Sequence, residues 1–486
     1  MKRRRPWFVA LAVLMVLAFV AAACGDDAEE TTTTTEAPTT TAATTTTAAT
    51  TTTVATTTTE PPAEIAFDVG VTLEPCPDSA NPENGCIYLG NISDFSGPFA
   101  GFGGPLAAGH IDFWTRVNAA GGIGPDGGQK FDVTIREEDT IDAGYVAEQH
   151  VAGYEQIRGN VAALAETLGT LQTLAALPLY IEDSTIAAVS TWYSGWSFPE
   201  FDGGVIMETG SSYCMEAMNG FDFMVGLMAQ QFGKDTFTYG IVKFPGDYGE
   251  DYAAGVKAAA AAYGLGDPLA ESLQIPMSAG GTLDDAVVAM ATAKPDVIFV
   301  VTGPMELATL IGGVYGAGHQ TALYVGVGPS WNPALLGTAA APLFEAGVYF
   351  HTSPTAGWDA DTPGHAAMRE AFAAAGRDAA YMNLGYIAGW SMQYNIKAAL
   401  EAAIANGDLT RAGILAAANS LTEVDYEGML PSRSFVGAAA ETAERGSVVH
   451  RIDPAASDGL AVAAPFFVGP TAAAYDFSAP CAVLGG

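Results

Sequence analysis

Cysteine is the most reactive residue type in this chain, and its spacing suits disulfides better than metal binding. Beyond an N-terminal leader there are four cysteines, Cys76, Cys86, Cys214 and Cys481. An even number in an exported chain favours disulfides, and four cysteines allow three connectivities. Cys76 and Cys86 bracket a turn-rich segment, PDSANPENG, so we predict that they pair and that Cys214 pairs with Cys481. The sequence has no Cys-x-x-Cys spacing that would indicate zinc.

No other residues have the spacing of a catalytic centre. The histidines are scattered without metal-ligand spacing, at His110, His150, His319, His351, His365 and His450. The sequence contains no Walker A motif and no Gly-x-Ser-x-Gly motif, and Gly101-x-Gly103 is only half of a dinucleotide fingerprint. No nucleophile stands beside a candidate base. We therefore predict that the protein is not an enzyme and holds neither a metal nor a cofactor.

The element best suited to position a ligand is the stretch from Ile87 to Gly124. Ile87, Leu89 and Ile92 predict a short strand, which Ser96-Gly97-Pro98 ends. Pro105 suits the first turn of the helix that follows, and Gly121-Gly122 ends that helix. Ligands of parallel α/β sheets bind at the carboxyl ends of strands, so we expect this loop to face a ligand.

The same alternation of strand and helix continues to about residue 420. The predicted strands are 131–135, 161–165, 186–190, 239–243, 273–275, 297–301, 324–327 and 348–350. The predicted helices are 143–156, 171–177, 213–231, 249–263, 283–293, 306–315, 364–375, 384–404 and 410–420. Two series of similar size predict an α/β fold with two doubly wound, Rossmann-like lobes and a ligand cleft between them.

The charge of the chain excludes one class of partner. It has 19 Lys+Arg against 54 Asp+Glu, a formal net charge of −35. Nucleic-acid binding needs a basic surface, so we expect no nucleic-acid partner. The acidity favours solubility outside the cell.

The N-terminus has the pattern of an export signal. A basic segment, an apolar run and Ala21-Ala22-Ala23 precede Cys24, which resembles a bacterial lipoprotein processing site. The resemblance implies a signal peptide over residues 1–23 and a lipid on the sulfur of Cys24. The alternative is an uncleaved membrane anchor. The Thr-rich residues 24–61 cannot build a core and predict a disordered tether.

Beyond the tether, the chain resembles the type I periplasmic solute-binding proteins, the branched-chain amino acid receptors of ABC transporters. SGPFAGFG, a helix and VNAAGGIG resemble the first loop and helix of that family. Further matches follow in the family's order: Glu137-Glu138-Asp139, Thr167-Leu168-Gly169-Thr170, Asp247-Tyr248-Gly249 and Lys294-Pro295-Asp296. The resemblance implies one lobe of residues 85–208 plus 352–445 and another of 209–351 plus 446–486, which hinge shut on a ligand.

The resemblance also implies which loops contact the ligand. The candidate contacts are Phe102, Thr167, Gly169, Thr170, Ser190, Trp192, Tyr193, Ser194, Tyr248 and Trp331. A hydroxyl at the end of a strand can instead cap its loop. For Trp192 and Trp331 the alternative is burial among the helices of the lobes.

One departure from the family bears on the ligand. Amino-acid-binding members place a Glu after a late strand of the second lobe, where the ammonium group binds. The corresponding segment here, Gly326 to Trp331, has no acidic residue, and Glu306 falls where a helix starts. Because an unpaired ammonium in a closed cleft is costly, we predict a ligand other than an ordinary α-amino acid, with a flat or apolar part.

We therefore expect an exported protein, lipid-anchored to the outer face of the cytoplasmic membrane. It would capture a small amino acid-like, amide or aromatic/apolar organic solute by lobe closure and deliver it to an ABC permease in the same membrane. The alternative is a sensor of the same fold that signals to a partner protein.

Overall fold

The computed structural model describes residues 65–244, 246, 248–274, 277 and 280–483. The predicted signal peptide, Cys24 and the tether lie outside these residues. The described chain forms two α/β lobes, each built around its own sheet, which confirms the predicted fold class.

The first lobe contains a six-stranded sheet in which the main strands run parallel. Its strands are β2 (Val71–Thr72), β3 (Gly85–Ser93), β4 (Phe131–Asp142), β5 (Ala163–Leu168), β6 (Ala187–Ser190) and β7 (Ile206–Met207). β3 lies between β4 and β5, and β6 and β7 follow on the β5 side. A separate two-stranded pair joins β1 (Ala66–Phe67) to β13 (Asp408–Leu409).

The second lobe contains a seven-stranded sheet in the order β15-β14-β12-β11-β10-β8-β9. Its strands are β8 (Tyr239–Lys243), β9 (Ala270–Leu273), β10 (Val297–Val301), β11 (Leu323–Val327), β12 (Tyr349–Ser353), β14 (Ser447–Ile452) and β15 (Leu460–Phe467). The first five are parallel, and the hairpin of β14 and β15 adds two antiparallel strands at one edge. All five residues of β10 are buried, as expected for a central strand with helices on both faces.

Helices cover both faces of each sheet. They are α1 (Ala100–Ala119), α2 (Ala147–Ile157), α3 (Thr170–Asp183), α4 (Pro199–Asp202), α5 (Tyr213–Phe232), α6 (Tyr248–Ala262), α7 (Asp284–Ala293), α8 (Pro304–Gly316), α9 (Ala341–Glu345), α10 (Pro363–Ala374), α11 (Leu384–Asn406), α12 (Arg411–Ala418), α13 (Ala439–Thr442) and α14 (Pro470–Ala474). In the first lobe α1 and α11 cover one face, and α2 and α3 the other. In the second lobe α5 and α6 oppose α7 and α8.

The crossing of α1 and α11 depends on two glycines. A Cβ on Gly109 would lie 2.5 Å from the carbonyl oxygen of Tyr386, and one on Gly389 would lie 2.2 Å from that of Leu106. The two backbones therefore approach more closely than any other residue type allows. This contact packs α1, which follows β3, against α11, which begins about 280 residues later in the sequence.

Several boundaries differ from the prediction. β4 extends to Asp142, because its polar second half keeps pairing with β3, so α2 starts at Ala147 and not at 143. The hairpin of β14 and β15 was not predicted as strands, since polar residues and Pro465 interrupt its apolar pattern. The lobe boundary at residue 352 falls inside β12, which continues to Ser353 in the second sheet.

The cysteines pair as Cys76–Cys86 and Cys214–Cys481, the two pairs expected from their spacing. The second disulfide holds the C-terminal tail, residues 475–483, against the start of α5. None of the helices in the described part of the chain combines the length and apolar character needed to cross a bilayer.

Candidate ligand-binding site

A small cavity of about 20 Å³ lies where the carboxyl ends of β5 and β6 meet the second lobe, and we call it the inner pocket. Its lining residues are Phe99, Phe102, Tyr145, Leu168, Gly169, Thr170, Ser190, Thr191, Tyr213, Tyr248 and Pro329. Thr170, Ser190 and Thr191 are hydroxyl-bearing residues of this lining, and the Thr170 and Thr191 hydroxyls hydrogen-bond to each other.

Gly169 brings the N-terminus of α3 to the inner pocket. It has φ = +96°, and an added Cβ would lie 2.2 Å from the side-chain oxygen of Gln172. Only glycine fits this turn, which ends β5 and starts α3 directly at Thr170. The first N–H groups of a helix have no partner within it, so this end of α3 offers donors to an anion.

A larger cavity of about 400 Å³ adjoins the inner pocket through Phe99, Phe102 and Pro329, and we call it the outer pocket. Its lining residues are Pro98, Phe99, Gly101, Phe102, Met277, Pro304, Met305, Glu306, Pro329, Trp331, Asn332, Ala334, Leu335 and Asn383. Most of these side chains are apolar, and both lobes contribute to them. The volume lies within the usual range for small-molecule sites.

Aromatic rings join the two lobes at the inner pocket. Phe99 of the first lobe lies 5.9 Å from Phe244 and 6.2 Å from Tyr248 of the second, between ring centroids. Phe102 contacts Trp192 at 6.4 Å. Asn332 of the second lobe also donates a hydrogen bond to the Gly101 carbonyl across the outer pocket. The lobes are therefore in contact along the cleft, and aromatic rings from both lobes line the inner pocket.

Asp94 fixes the loop that carries Phe99 and Phe102. Its carboxylate accepts hydrogen bonds from the backbone N–H groups of Gly97 and Phe99, just before α1 begins. Burial raises the pKa of Asp94, and these backbone hydrogen bonds oppose the rise. The Asp94 side chain lines neither pocket. It affects the site by holding the backbone of the loop that carries Phe99 and Phe102.

The structure brings six of the candidate contacts to the two pockets. Phe102, Gly169, Thr170, Ser190 and Tyr248 line the inner pocket, and Phe102 and Trp331 line the outer one. The indole N–H of Trp331 donates to the Asp458 carbonyl, which fixes the ring at the pocket wall.

The other four candidates lie outside both pockets. The Thr167 hydroxyl is buried against His150, Thr173 and Tyr180. The Trp192 indole donates to the Thr209 carbonyl, and its ring packs behind Phe102.

Tyr193 and Ser194 contact the C-terminal tail. The Tyr193 hydroxyl donates to the Ala482 carbonyl. The Ser194 hydroxyl donates to Asp251 and accepts from the backbone N–H of Cys481. These side chains join the tail to the first lobe and do not face the cleft.

Sequence reasoning missed Phe99, Tyr145, Thr191 and Tyr213, which line the inner pocket. Phe99 and Thr191 are direct neighbours in sequence of residues in the predicted loops, so they could have been included. Tyr145 was missed because the predicted strand ended at 135 and placed it inside a helix, whereas β4 continues to Asp142. Tyr213 reaches the pocket from the start of α5, which the sequence does not connect with it.

Glu306 is the one acidic side chain that lines either pocket, as far as the described residues show. It lies in the first turn of α8, as the sequence predicted, and its side chain is buried. One carboxylate oxygen accepts the N–H of Met277 at 3.0 Å. The segment Gly328 to Trp331 lines the outer pocket without an acidic residue, so no carboxylate stands where the family's amino-acid receptors place one.

Comparison with known proteins establishes the family. The sequence matches the periplasmic binding protein family over residues 87–461. The chain belongs to this family. The sequence-based assignment is thereby confirmed, and the protein captures a small solute for an ABC importer. Curated protein sequences include no significant match.

Solved structures share the fold over nearly their whole length. A fatty acid ABC transporter substrate-binding protein from Thermomonospora curvata is 26% identical, with a TM-score of 0.71, over 85% of this chain and 97% of that one. A branched-chain amino acid ABC transporter protein from Thermus thermophilus with bound valine is 14% identical, with a TM-score of 0.64, over 80% and 98%. A solute-binding protein from R. palustris in complex with benzoate is 16% identical, with a TM-score of 0.59, over 80% and 99%.

The described residues include no group of three or more His, Cys, Asp or Glu side chains placed to hold a metal ion. The two pockets offer hydroxyl groups, backbone N–H groups and apolar surface. These groups can bind and enclose a solute.

Proposed function

We propose that the solute is an amphipathic carboxylate, with its carboxylate in the inner pocket and its apolar chain or ring in the outer pocket. The observation that carries this proposal is that the two pockets share Phe99, Phe102 and Pro329, so that the hydroxyl-bearing residues of the small pocket adjoin a large, mostly apolar one. Closure of the lobes around such a solute would prepare it for delivery to the permease.

The inner pocket suits a carboxylate more than an ammonium. The N-terminus of α3 supplies partial positive charge and free N–H donors, and the hydroxyls of Thr170, Ser190 and Thr191 lie beside it. No acidic side chain lines this pocket within the described residues. An α-ammonium group bound there would lack a counter-charge.

The outer pocket suits an apolar group. Phe102, Met305, Trp331 and Leu335 contribute much of its wall, and burial of apolar surface supplies about 25 cal/mol per Å². The Thermomonospora curvata relative supports this choice, since it is named for fatty acid transport. The R. palustris protein of the same fold was solved with another apolar carboxylate, benzoate.

The proposal can be tested by titration calorimetry and thermal shift with octanoate, benzoate, octanamide and leucine. A ligand that binds only the folded state raises the melting temperature by mass action. We expect octanoate or benzoate to bind, and octanamide and leucine to bind weakly. Tight binding of leucine without binding of either carboxylate would overturn the proposal.

A pair of matched variants locates the apolar group. Met305→Glu places a charge at an exposed position of the outer pocket, in the first turn of α8, where an acidic residue suits the helix dipole. We expect it to weaken octanoate binding about tenfold or more, which corresponds to about 1.4 kcal/mol. Val288→Glu, on the exposed face of α7 and outside both pockets, is the control. Equal effects of the two variants would contradict this placement.

We also propose that a lipid on Cys24 anchors the protein, on the strength of the sequence pattern alone. Cys24→Ser should move the protein from the membrane fraction to the soluble fraction of the cell exterior. Retention of this variant in the membrane would instead favour an uncleaved anchor.

A further inference from the structure

A buried carboxyl group lies directly beneath the inner pocket and takes no part in the contacts described so far. Glu166 is on β5, and its side chain has no exposed surface. Its Oε1 accepts hydrogen bonds from the hydroxyls of Ser93, at 2.9 Å, and Ser190, at 3.2 Å. Ser190 lines the inner pocket, so one hydroxyl group separates Glu166 from a bound ligand.

The groups that surround this carboxyl group are neutral or acidic. β3 contributes Ser93 and, further along, Asp94; α1 contributes His110; β6 contributes Ser190. From α11, Gln393 donates to the neighbouring Ala165 carbonyl. Across the described residues, no Lys or Arg forms an ion pair with Glu166. Burial, with a smaller contribution from the charge of Asp94, raises the pKa of Glu166 to about 8.

His110 completes the arrangement. Its Nε2 lies 3.4 Å from Oε2 of Glu166, and both side chains are fully buried. Burial lowers the pKa of His110 to about 3, so the imidazole is neutral. Because Oε1 already accepts two hydrogen bonds, a proton on the carboxyl group fits on Oε2, within reach of Nε2 of His110. It would pair these two atoms, which are buried and have no hydrogen-bond partner among the described residues.

We propose that Glu166 determines the charge specificity of the inner pocket by remaining an uncharged carboxylic acid beneath it. A neutral Glu166 lets a carboxylate bind beside Ser190, whereas an ionised Glu166 would repel it at short range in a low-dielectric setting. Because Ser93 also donates to Oε1, Ser190 can turn its proton to the ligand without leaving Glu166 unpartnered. This inference rests on the proposed carboxylate ligand.

The first test needs no ligand. Infrared difference spectra between the wild-type protein and Glu166→Gln should show the C=O band of a protonated carboxyl group at pH 7, which disappears as the pH is raised to 9. The substituted amide retains the shape of the neutral acid, so this variant is expected to fold. Absence of that band at pH 7 would overturn the proposal whatever the protein binds.

The second test measures octanoate and benzoate affinity at pH 7 and pH 9. We expect the affinity of the wild-type protein to fall about tenfold, because each pH unit above the pKa removes about nine-tenths of the neutral form. The affinity of Glu166→Gln should not change. Asp251→Asn is the control, since burial raises the pKa of Asp251 to about 7 but this residue lies outside both pockets; it should keep the pH dependence.

The outcomes separate the two proposals. If neither carboxylate binds at pH 7 while the infrared band is present, the proposed ligand class is wrong and Glu166 is a neutral acid as inferred. If a carboxylate binds with the same affinity at both pH values, Glu166 does not set charge specificity.

Discussion

At the residue scale, the site depends on side chains that fix the backbone conformation of its loops as much as on those that face the cleft. The resemblance to the family placed Thr170 and Ser190 among the candidate contacts, and both line the inner pocket. Tyr193 and Ser194 have the same sequence signal, yet they bond to residues more than 280 positions later in the chain. Local sequence holds no information about so distant a partner.

Asp94 gives a testable case. In Asp94→Asn, one of the two acceptor oxygens becomes an amide donor that faces a backbone N–H of the β3–α1 loop. A lost hydrogen bond to a charged group costs about 1.5–3 kcal/mol, so we expect a comparable fall in the free energy of unfolding. Urea denaturation measures it, and calorimetry should show weaker ligand binding because Phe99 moves. Asp126→Asn, at the surface, is the control; a similar loss there would refute the argument.

At the scale of elements, the sequence predicts strands well where a short apolar run contains neighbouring β-branched residues. β8, with Ile241-Val242, and β10, which is apolar throughout, have the predicted bounds. β14 and β15 were not predicted, because His450 and Arg451 interrupt the apolar pattern of the first strand and Pro465 interrupts that of the second. The crossing of α1 and α11 could not be predicted either, since nothing in the sequence indicates that Gly109 and Gly389 lie at the same contact.

The pair of strands β12 and β14 gives a prediction about acid stability. His351 and His450 face each other in register and are buried. Burial lowers the pKa of His450 to about 4, and that of His351 well below its usual value. A lowered pKa in the folded state means that the neutral form stabilises the protein above about pH 6.5, and that this stability is lost as the pH falls towards 4.

His450→Phe removes this titration. Between pH 7 and pH 5, the free energy of unfolding of the wild-type protein should fall by about 2 kcal/mol relative to the variant. Urea denaturation of both proteins at the two pH values measures the double difference, in which the direct cost of the substitution cancels. A difference that does not change with pH would show that the pKa of His450 is not lowered in the folded state.

At the scale of the whole molecule, the composition and the alternation of elements were enough to predict two lobes, because each strand–helix unit must bury its apolar face against a sheet. They could not predict that rings from both lobes meet at the inner pocket, since ring packing depends on the angle at which the lobes meet. They also could not show that the C-terminal tail returns from the second lobe to the first.

The two disulfides should differ in their effect on stability. Cys214 and Cys481 are 267 residues apart, whereas Cys76 and Cys86 are 10 apart. A longer closed loop restricts the unfolded chain more, so the double variant Cys214→Ser/Cys481→Ser should lose about 5–6 kcal/mol of unfolding free energy. The loss in Cys76→Ser/Cys86→Ser should be smaller by about 3 kcal/mol. Chemical denaturation of both variants tests the order, and the reverse order would contradict it.

The position of Cys481 also sets an order of events during biosynthesis. Exported chains cross the membrane from the N-terminus, so Cys76 and Cys86 can pair while most of the chain is still inside the cell. Cys214, by contrast, reaches the exterior long before its partner and waits as a free thiol until every strand of both sheets has been translocated. Because α5 packs against β12, β14 and α14, which all follow it in the chain, the thiol is not fully buried during that interval, and oxidation of this disulfide marks the completion of export.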